Sequence, residues 1–298
     1  MTTKVLFIGG GRRVTLAERF IAKGCMVYAY ELDERVPISS VATVIRGKAW
    51  KAQDFASHLQ GVIEVCDIDL VVPLDDEAVA KVASMELSCR KLCSPADAAM
   101  SCWDKSVFAH RCPIELYPSP VALSPAILKP QFGFGSRDIR EMAWYRDEHM
   151  PEGFIAQRTL VAPEYSVDAY FNLNGELVGA SPRERIRVAG GEVMDSVTAE
   201  KPELVDAVLR LGNRFGFRGP ICAQFMRDAV TGKFFCTEVN CRFGGGCTLS
   251  IAAGLDMVGY AMWEYAWVRE AVPANNGHAS SGVKMLRSFR DVYFPEAA

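Results

Sequence analysis

Val5-Leu6-Phe7-Ile8 is a continuous apolar run closed by Gly9-Gly10-Gly11, and this start admits few folds. Val14 to Lys23 repeats apolar residues at helical spacing and stops at Gly24, and Val27 to Tyr30 is a second apolar run. Strand, helix, strand at this spacing is a βαβ unit, which requires a parallel sheet. Val41 to Ile45 adds a short third strand, Phe55 to Cys66 a helix, and Ile68 to Leu74 a buried strand. Asp75-Asp76-Glu77 then opens a helix predicted to run to about Cys89. These acids cap the helix, and they also stand at the end of a parallel strand, where such sheets bind ligands. The first glycine turn carries part of a dinucleotide fingerprint. Gly9 and Gly11 fit its first two positions, and Glu31 falls where a ribose-binding acid would stand. Its third position is Val14 and Arg12-Arg13 fill the turn. The turn therefore reads as an anion or substrate contact, or as a plain tight turn, in preference to an NAD site.

With 298 residues, half of them apolar, the chain holds two domains or one large α/β domain. A net charge of -3 gives no general attraction to nucleic acid or to an anionic membrane. No apolar run approaches the roughly 20 residues of a membrane span, and the N-terminus passes directly into a strand, so a soluble, cytoplasmic protein is expected. The 10 cysteines include no C-x-x-C pair, and His58, His110, His149 and His278 are not spaced from them as zinc ligands. They read as small buried apolar residues, Cys241 and Cys247 included, neither of which has a sequence partner marking a nucleophile.

Cys93-Ser94-Pro95 and Ser101-Cys102-Trp103 mark a junction, after which Asp104-Lys105 start a helix. Ala126 to Pro130 reads as a strand that delivers Lys129 to a loop containing Gly133, Gly135 and Ser136. Such a loop can fold its N–H groups over phosphate oxygens, although it is not of the Walker type. Glu164 to Leu173 is strand-like and turns at Asn174-Gly175 into Glu176 to Ala180, a hairpin. Arg183, Arg185 and Arg187 alternate, which places them on one strand face, either as solvated charge or as an anion site. Pro202 to Gly216 is an amphipathic helix with proline at its start and glycine at its stop.

A second hairpin, through Thr231-Gly232, joins Pro220 to Met226 with Lys233 to Asn240. Glu238 and Asn240 are two apart and project the same way, and the hairpin brings Gln224 alongside Glu238. One carboxylate and two amides suit a hard cation such as Mg2+. Arg242 follows, and Gly244-Gly245-Gly246 permit close backbone approach to a ligand. Helices over 248–254 and 256–271 and a strand over 282–289 complete the chain.

The ordered set of Leu128-Lys129-Pro130, the glycine loop, the 154–168 segment and Gln224-x13-Glu238-x-Asn240-x-Arg242-x-Gly-Gly-Gly resembles an ATP-grasp ligase. It is most similar to the synthetase halves of the carbamoyl phosphate synthetase large subunit. The resemblance implies an α/β protein, α+β in its C-terminal part: an ATP-grasp fold preceded by a Rossmann-like parallel-sheet domain. That first domain spans 1–103 and the ATP-grasp domain 104–298, divided into a lid at about 104–163 and a catalytic core at about 164–298. It further implies that Lys105, Lys129, Gly133, Gly135 and Ser136 hold the ATP phosphates. Gln157 and the backbone from Arg158 to Leu160 would meet the adenine, and Glu164 the ribose. Gln224, Glu238 and Asn240 would hold Mg2+ or Mn2+, with Arg242 and Arg185 as catalytic arginines. The implied reaction is carboxylate attack on ATP to give an acylphosphate and ADP, after which an amine or thiol displaces phosphate. The partners expected are thus a small carboxylate and a nucleophile, with no nucleic acid or membrane, and a homodimer is compatible. Ala162 departs from the glycine common in the hinge, and Gln224 replaces the acid of many relatives, as in carbamoyl phosphate synthetase. The alternatives are a non-catalytic nucleotide-binding protein and an NAD-dependent oxidoreductase that uses the first glycine turn.

Overall fold

A computed structural model describes residues 2–133, 138–288 and 290–294. Strands β1 (Lys4–Ile8), β2 (Met26–Glu31), β3 (Thr43–Arg46), β4 (Leu70–Pro73) and β5 (Arg90–Lys91) form a wholly parallel sheet, ordered β3-β2-β1-β4-β5. Helices α1 (Val14–Ala22), α2 (Phe55–Cys66) and α3 (Asp76–Ser84) cover it. Alternate residues of β1 take opposite faces: Val5 and Phe7 pack with Leu16, Ala17 and Phe20 of α1, while Leu6 and Ile8 pack with Phe55, Leu59 and Ile63 of α2. A strand covered on both faces has no polar position, which explains the unbroken apolar run.

From β5 the chain passes through α4 (Ala96–Trp103) and α5 (Lys105–Arg111). Next come β6 (Ala126–Pro130), β7 (Arg140–Met142) and β8 (Phe154–Arg158), a small antiparallel sheet ordered β7-β6-β8. Last come β9 (Val161–Phe171), β10 (Leu177–Ala189), β11 (Glu192–Thr198), α6 (Pro202–Phe215), β12 (Gly219–Arg227), β13 (Phe234–Asn240), α7 (Cys247–Ala252), α8 (Met257–Met262) and β14 (Lys284–Leu286). Their strands form an antiparallel sheet ordered β13-β12-β9-β10-β11-β14. Leu204, Ala207, Val208, Leu211 and Phe215 form the buried stripe of α6. Its closest approach to the sheet is at Gly212, where a Cβ would come within 2.2 Å of the Phe171 ring. The α1 face of the parallel sheet shares one core with Tyr170, Phe243, Met257, Val258 and Met262, and Phe20 meets Phe243 edge-on at 6.0 Å. The two halves of the chain therefore meet through apolar packing, and that packing positions the cleft described below.

The residue pattern did not mark β5, β7, β11 or α4, and β14 is shorter than the expected 282–289; three further elements also differ. Helix α3 ends at Ser84, short of Cys89, because the Lys91 ammonium donates to the terminal carbonyls of Val82 and Ala83 at 3.2 and 2.7 Å. Helix α8 ends at Met262 and passes into a π-helical turn over Trp263–Trp267. Within that turn Glu264 is buried and accepts from Tyr170 Oη at 2.8 Å, Val272 N at 2.9 Å and Leu173 N at 3.1 Å. The aromatic stripe is split as a result: Met262 and Tyr265 are core, while Trp263 and Trp267 are exposed. The third difference lies in β10, where register shifts on either side of Arg187 break the alternation. Arg183 and Arg185 face inward and Arg187 is exposed, so the three arginines do not share a face. All 10 cysteines are free. Among the described residues no helix is long and apolar enough to cross a membrane.

Candidate active site

A cleft of about 820 Å³ lies where the C-terminal ends of β1, β2 and β4 face the small sheet and the inner face of the antiparallel sheet. Its wall is hairpin β12–β13. Gln224 pairs in register with Glu238, and Cys222 with Asn240, so Gln224, Glu238 and Asn240 all line the cleft. The Asn240 amide is oriented with its nitrogen toward Asp76, donating at 2.9 and 3.1 Å. The reverse orientation would press its oxygen against both carboxylate oxygens of Asp76. Its oxygen then faces Glu238 Oε1 across 3.3 Å. Two oxygen donors facing each other at that separation fit a shared hard cation, and Gln224 supplies a third oxygen next to them. Among the described residues no group of three or more His, Cys, Asp and Glu side chains is arranged around a metal. The donor set here contains a single carboxylate, so it resembles a site completed by phosphates and waters more than a protein cage.

Opposite this wall, β6 carries Lys129 into the cleft, where burial lowers its pKa against the opposing pull of Glu238. Lys105, at the first turn of α5, donates from Nζ to Gly133 O at 2.7 Å, and Gln131 binds both oxygens of Asp104, which caps that helix. The start of α5 thereby ties down the loop that leaves β6. Gly133 lines the cleft; Gly135 and Ser136 lie outside the described residues. Glu164 also lines it, with its carboxyl raised by burial and pulled back by Arg185, whose Nε stands 3.3 Å away. Gln157 is buried and donates to Thr237 O at 3.0 Å, Arg158 pairs with Asp228 at 3.1 Å, and Leu160 is core. None of these side chains lines the cleft, and the adenine contact expected of Arg158 to Leu160 is a backbone one that does not depend on them.

Arg242 is held by Asp76 in a bidentate pair, Nε to Oδ1 at 2.7 Å and Nη2 to Oδ2 at 2.6 Å. Burial opposes its charge, but the Asp76 carboxylate outweighs this and its pKa is raised. The acidic triplet therefore divides its work: Asp75 caps α3 by accepting from Glu77 N and Ala78 N, and Asp76 reaches across to the C-terminal half. The three glycines after Arg242 prove to be packing requirements as well as cleft lining. A Cβ on Gly244 would stand 2.8 Å from Cys222 Sγ and 2.9 Å from Asp168 Oδ1, and one on Gly246 would stand 2.6 Å from Arg183 Nη1. Cys247 is buried and its thiol is pushed up to about 12, which leaves no thiolate at neutral pH.

Glu192 and Arg287, joined at 2.7 Å, also border the triple glycine, and nothing in the sequence marks them because they arrive from β11 and from beyond β14. Arg13 reaches the same place from the first glycine turn. Glu31 lies at the end of β2 under Gly11. Burial pushes its carboxyl up to about 7, with Gly10 and Gly11 N–H opposing and Asp75 adding to the rise. The folded protein thus holds this proton more tightly than an unfolded chain near 4.5. Wild-type stability should fall as pH rises through that interval and level off above about 7. Glu31→Gln, which does not titrate, should be the more stable protein above the window. Thermal melts of the two from pH 4 to 8 should diverge across it, and parallel curves would show that Glu31 is not desolvated.

Residues 150–285 match the family model described as "ATP-grasp in the biosynthetic pathway with Ter operon". The chain carries the ATP-grasp fold. Solved ATP-grasp structures superpose on nearly all of it. Biotin carboxylase from Campylobacter jejuni, in complex with an ATP analogue, aligns over 94% of this chain and 74% of its own, with a TM-score of 0.70 at 14% identity. The biotin carboxylase domain of Hydrogenobacter thermophilus 2-oxoglutarate carboxylase, bound to MgADP and bicarbonate, aligns over 94% and 73%, with a TM-score of 0.71 at 13% identity. An L-amino acid ligase from Bacillus licheniformis aligns over 89% and 74%, with a TM-score of 0.64 at 13% identity. No curated protein matches this chain by sequence. The ATP-grasp fold thus joins the parallel sheet and the antiparallel sheets around one cleft, as expected for the superfamily. None of these three is a carbamoyl phosphate synthetase, so these comparisons support the ATP-grasp fold and not the nearer resemblance to that enzyme.

Proposed function

We propose that this chain is an ATP-dependent ligase that activates a small carboxylate as an acylphosphate, with release of ADP, and passes the acyl group to an amine. The observation that carries this is the facing pair of Glu238 and Asn240 oxygens, with Gln224 beside them and Lys129 opposite, in a cleft open to a second ligand. In this reading residues 1–103 are the pre-ATP-grasp unit, 104–163 the lid and 164–298 the catalytic core. Glu238, Asn240 and Gln224 would hold Mg2+, which supplies positive charge to the β- and γ-phosphate oxygens. Lys129 and Lys105 orient the triphosphate, and the Lys105 tether to Gly133 O keeps the loop after β6 over it. Arg242, aimed by Asp76, meets the carboxylate and stabilises charge as the phosphoryl group leaves ADP and, later, as the amine adds. Glu164, which lines the cleft, would meet the ribose hydroxyls. Closing the small sheet over the cleft would keep water from the acylphosphate.

The test is ADP release by the purified chain with Mg-ATP and pools of carboxylates and amines, where release must require both Mg2+ and a carboxylate. ADP release that ignores every carboxylate, or a nicotinamide-dependent absorbance change, would overturn it. Lys129→Ala should weaken binding of a non-hydrolysable ATP analogue about tenfold to a hundredfold, the worth of one buried charge-assisted contact. Calorimetric titration giving wild-type affinity would remove Lys129 from the phosphate site.

A further inference from the structure

Asp76 stands at the first residue of α3 and yet does no capping. Asp75 accepts from the helix N–H groups, whereas both oxygens of Asp76 accept from the C-terminal half of the chain. The parallel sheet fixes where it stands. Leu74 N donates to Ile8 O at 2.8 Å, and Asp75 lies so close to Gly9 that a Cβ there would stand 2.9 Å from its own. The N-terminus of α3 favours the negative charge. The Asp76 side chain is 12% exposed, so water competes little for its oxygens.

Two groups meet this carboxylate, Arg242 through two bonds and Asn240 through its amide nitrogen. The second contact has a consequence for the cation site, because an amide can turn either its oxygen or its N–H to the cleft. With its nitrogen on Asp76, at 2.9 and 3.1 Å, Asn240 presents its oxygen beside the Glu238 carboxylate. Turned over, it would donate to Glu238 Oε1 at 3.3 Å and accept from Arg242 Nη2 at 3.4 Å. Those contacts are longer, and the turned amide would also set its oxygen against Asp76. Take the Asp76 carboxylate away and the order reverses: the turned amide keeps a charge-assisted bond to Glu238, and nothing repels its oxygen. An N–H would then stand where a cation needs a lone pair.

We propose that Asp76 is a positioning residue for the metal site. It holds the Asn240 amide with its oxygen available as a ligand, and it prevents the Asn240–Glu238 hydrogen bond that would close the site. An acid of the parallel-sheet half thus decides whether the hairpin of the other half can take a cation. This rests on the ligase reading above, in which Glu238 and Asn240 hold Mg2+. It is distinct from aiming Arg242, which acts on the reaction and leaves the cation site as it is.

Binding without turnover tests it. A non-hydrolysable ATP analogue is titrated calorimetrically into the full chain, once with saturating Mn2+ and once with chelator, and the ratio of the two affinities is the contribution of the cation site. Mn2+ should tighten binding to wild type. Asp76→Asn should lose about tenfold or more of that gain, as is typical when a partner that orients a metal ligand is removed, and should bind as wild type does in chelator. In Asn240→Asp, whose carboxylate presents an oxygen whichever way it turns, adding Asp76→Asn should cost nothing, whereas a simple charge effect would lower the ratio in both backgrounds. Arg242→Gln should keep the ratio. Asp76→Asn combined with Arg242→Gln leaves no arginine without its counter-charge, so it stands in if Asp76→Asn alone does not fold, and it should lose the ratio equally. A wild-type ratio in folded Asp76→Asn or in that double variant, an equal loss in the Asn240→Asp background, or as large a loss in Arg242→Gln would each overturn the proposal. A wild-type protein that binds the analogue equally with and without Mn2+, or not at all, would instead overturn the ligase reading beneath it.

Discussion

Glu238→Ala is expected to lower ADP release by about two to three orders of magnitude while leaving the melting temperature within a few degrees of wild type. Removing one preorganised charge-stabilising group typically costs that much in rate. Glu238 is the single carboxylate of the proposed cation site, so its loss removes the only full negative charge there. The fold should tolerate the change, because the side chain faces the cleft and its neighbours Thr237 and Val239 do the packing. Glu238→Gln keeps the shape and removes the charge, so it should fall almost as far as alanine, and raising Mg2+ should recover part of the rate in Glu238→Gln alone. A folded Glu238→Ala protein that turns over ATP at the wild-type rate would contradict the site.

The second large effect is on stability. Asp168 is completely buried and Arg183 nearly so, joined from Nε to Oδ2 at 2.7 Å, and Ser250 Oγ donates to the same oxygen at 2.7 Å. Asp168→Ala leaves a guanidinium buried without its counter-charge and should cost about 3–5 kcal/mol, measured by urea denaturation. Arg183 Nη1 is already without a partner, which removes any local acceptor that might compensate. The pair also carries the triple glycine: Gly244 lies over Asp168 and Gly246 over Arg183, so relaxation here displaces the backbone that follows Arg242. The double variant Asp168→Leu with Arg183→Met should recover most of the stability, because a hydrophobic pair of similar size costs no desolvation. A loss below about 1 kcal/mol in Asp168→Ala would show that the pair is solvated.

The sequence by itself determined the first βαβ unit, helix α6 and the two hairpins β9–β10 and β12–β13. An unbroken apolar run ending in glycines has to be a covered strand of a parallel sheet, and alternate positions on a hairpin have to share a face. Thus β1 and the Gln224–Glu238 pairing were legible, because local geometry alone decides them. The same argument failed for Arg187, since a bulge in β10 depends on what the strand packs against and leaves no trace in the residue pattern. Nor does it show that Gln157 and Arg158 give their side chains to Thr237 O and Asp228, residues far away in the chain. Asp76 stood in a triplet readable as capping acids or as the ligand end of the sheet, and only the packing of α1 and Phe20 against Phe243 brings it to Arg242. Glu192, Arg287 and Arg13 converge on Gly245 from three distant segments. Periodicity is a property of neighbours along the chain, so it specifies faces and registers. Which charges end up opposite each other follows from how two separately folded faces bury a common apolar core, and only the tertiary structure decides that.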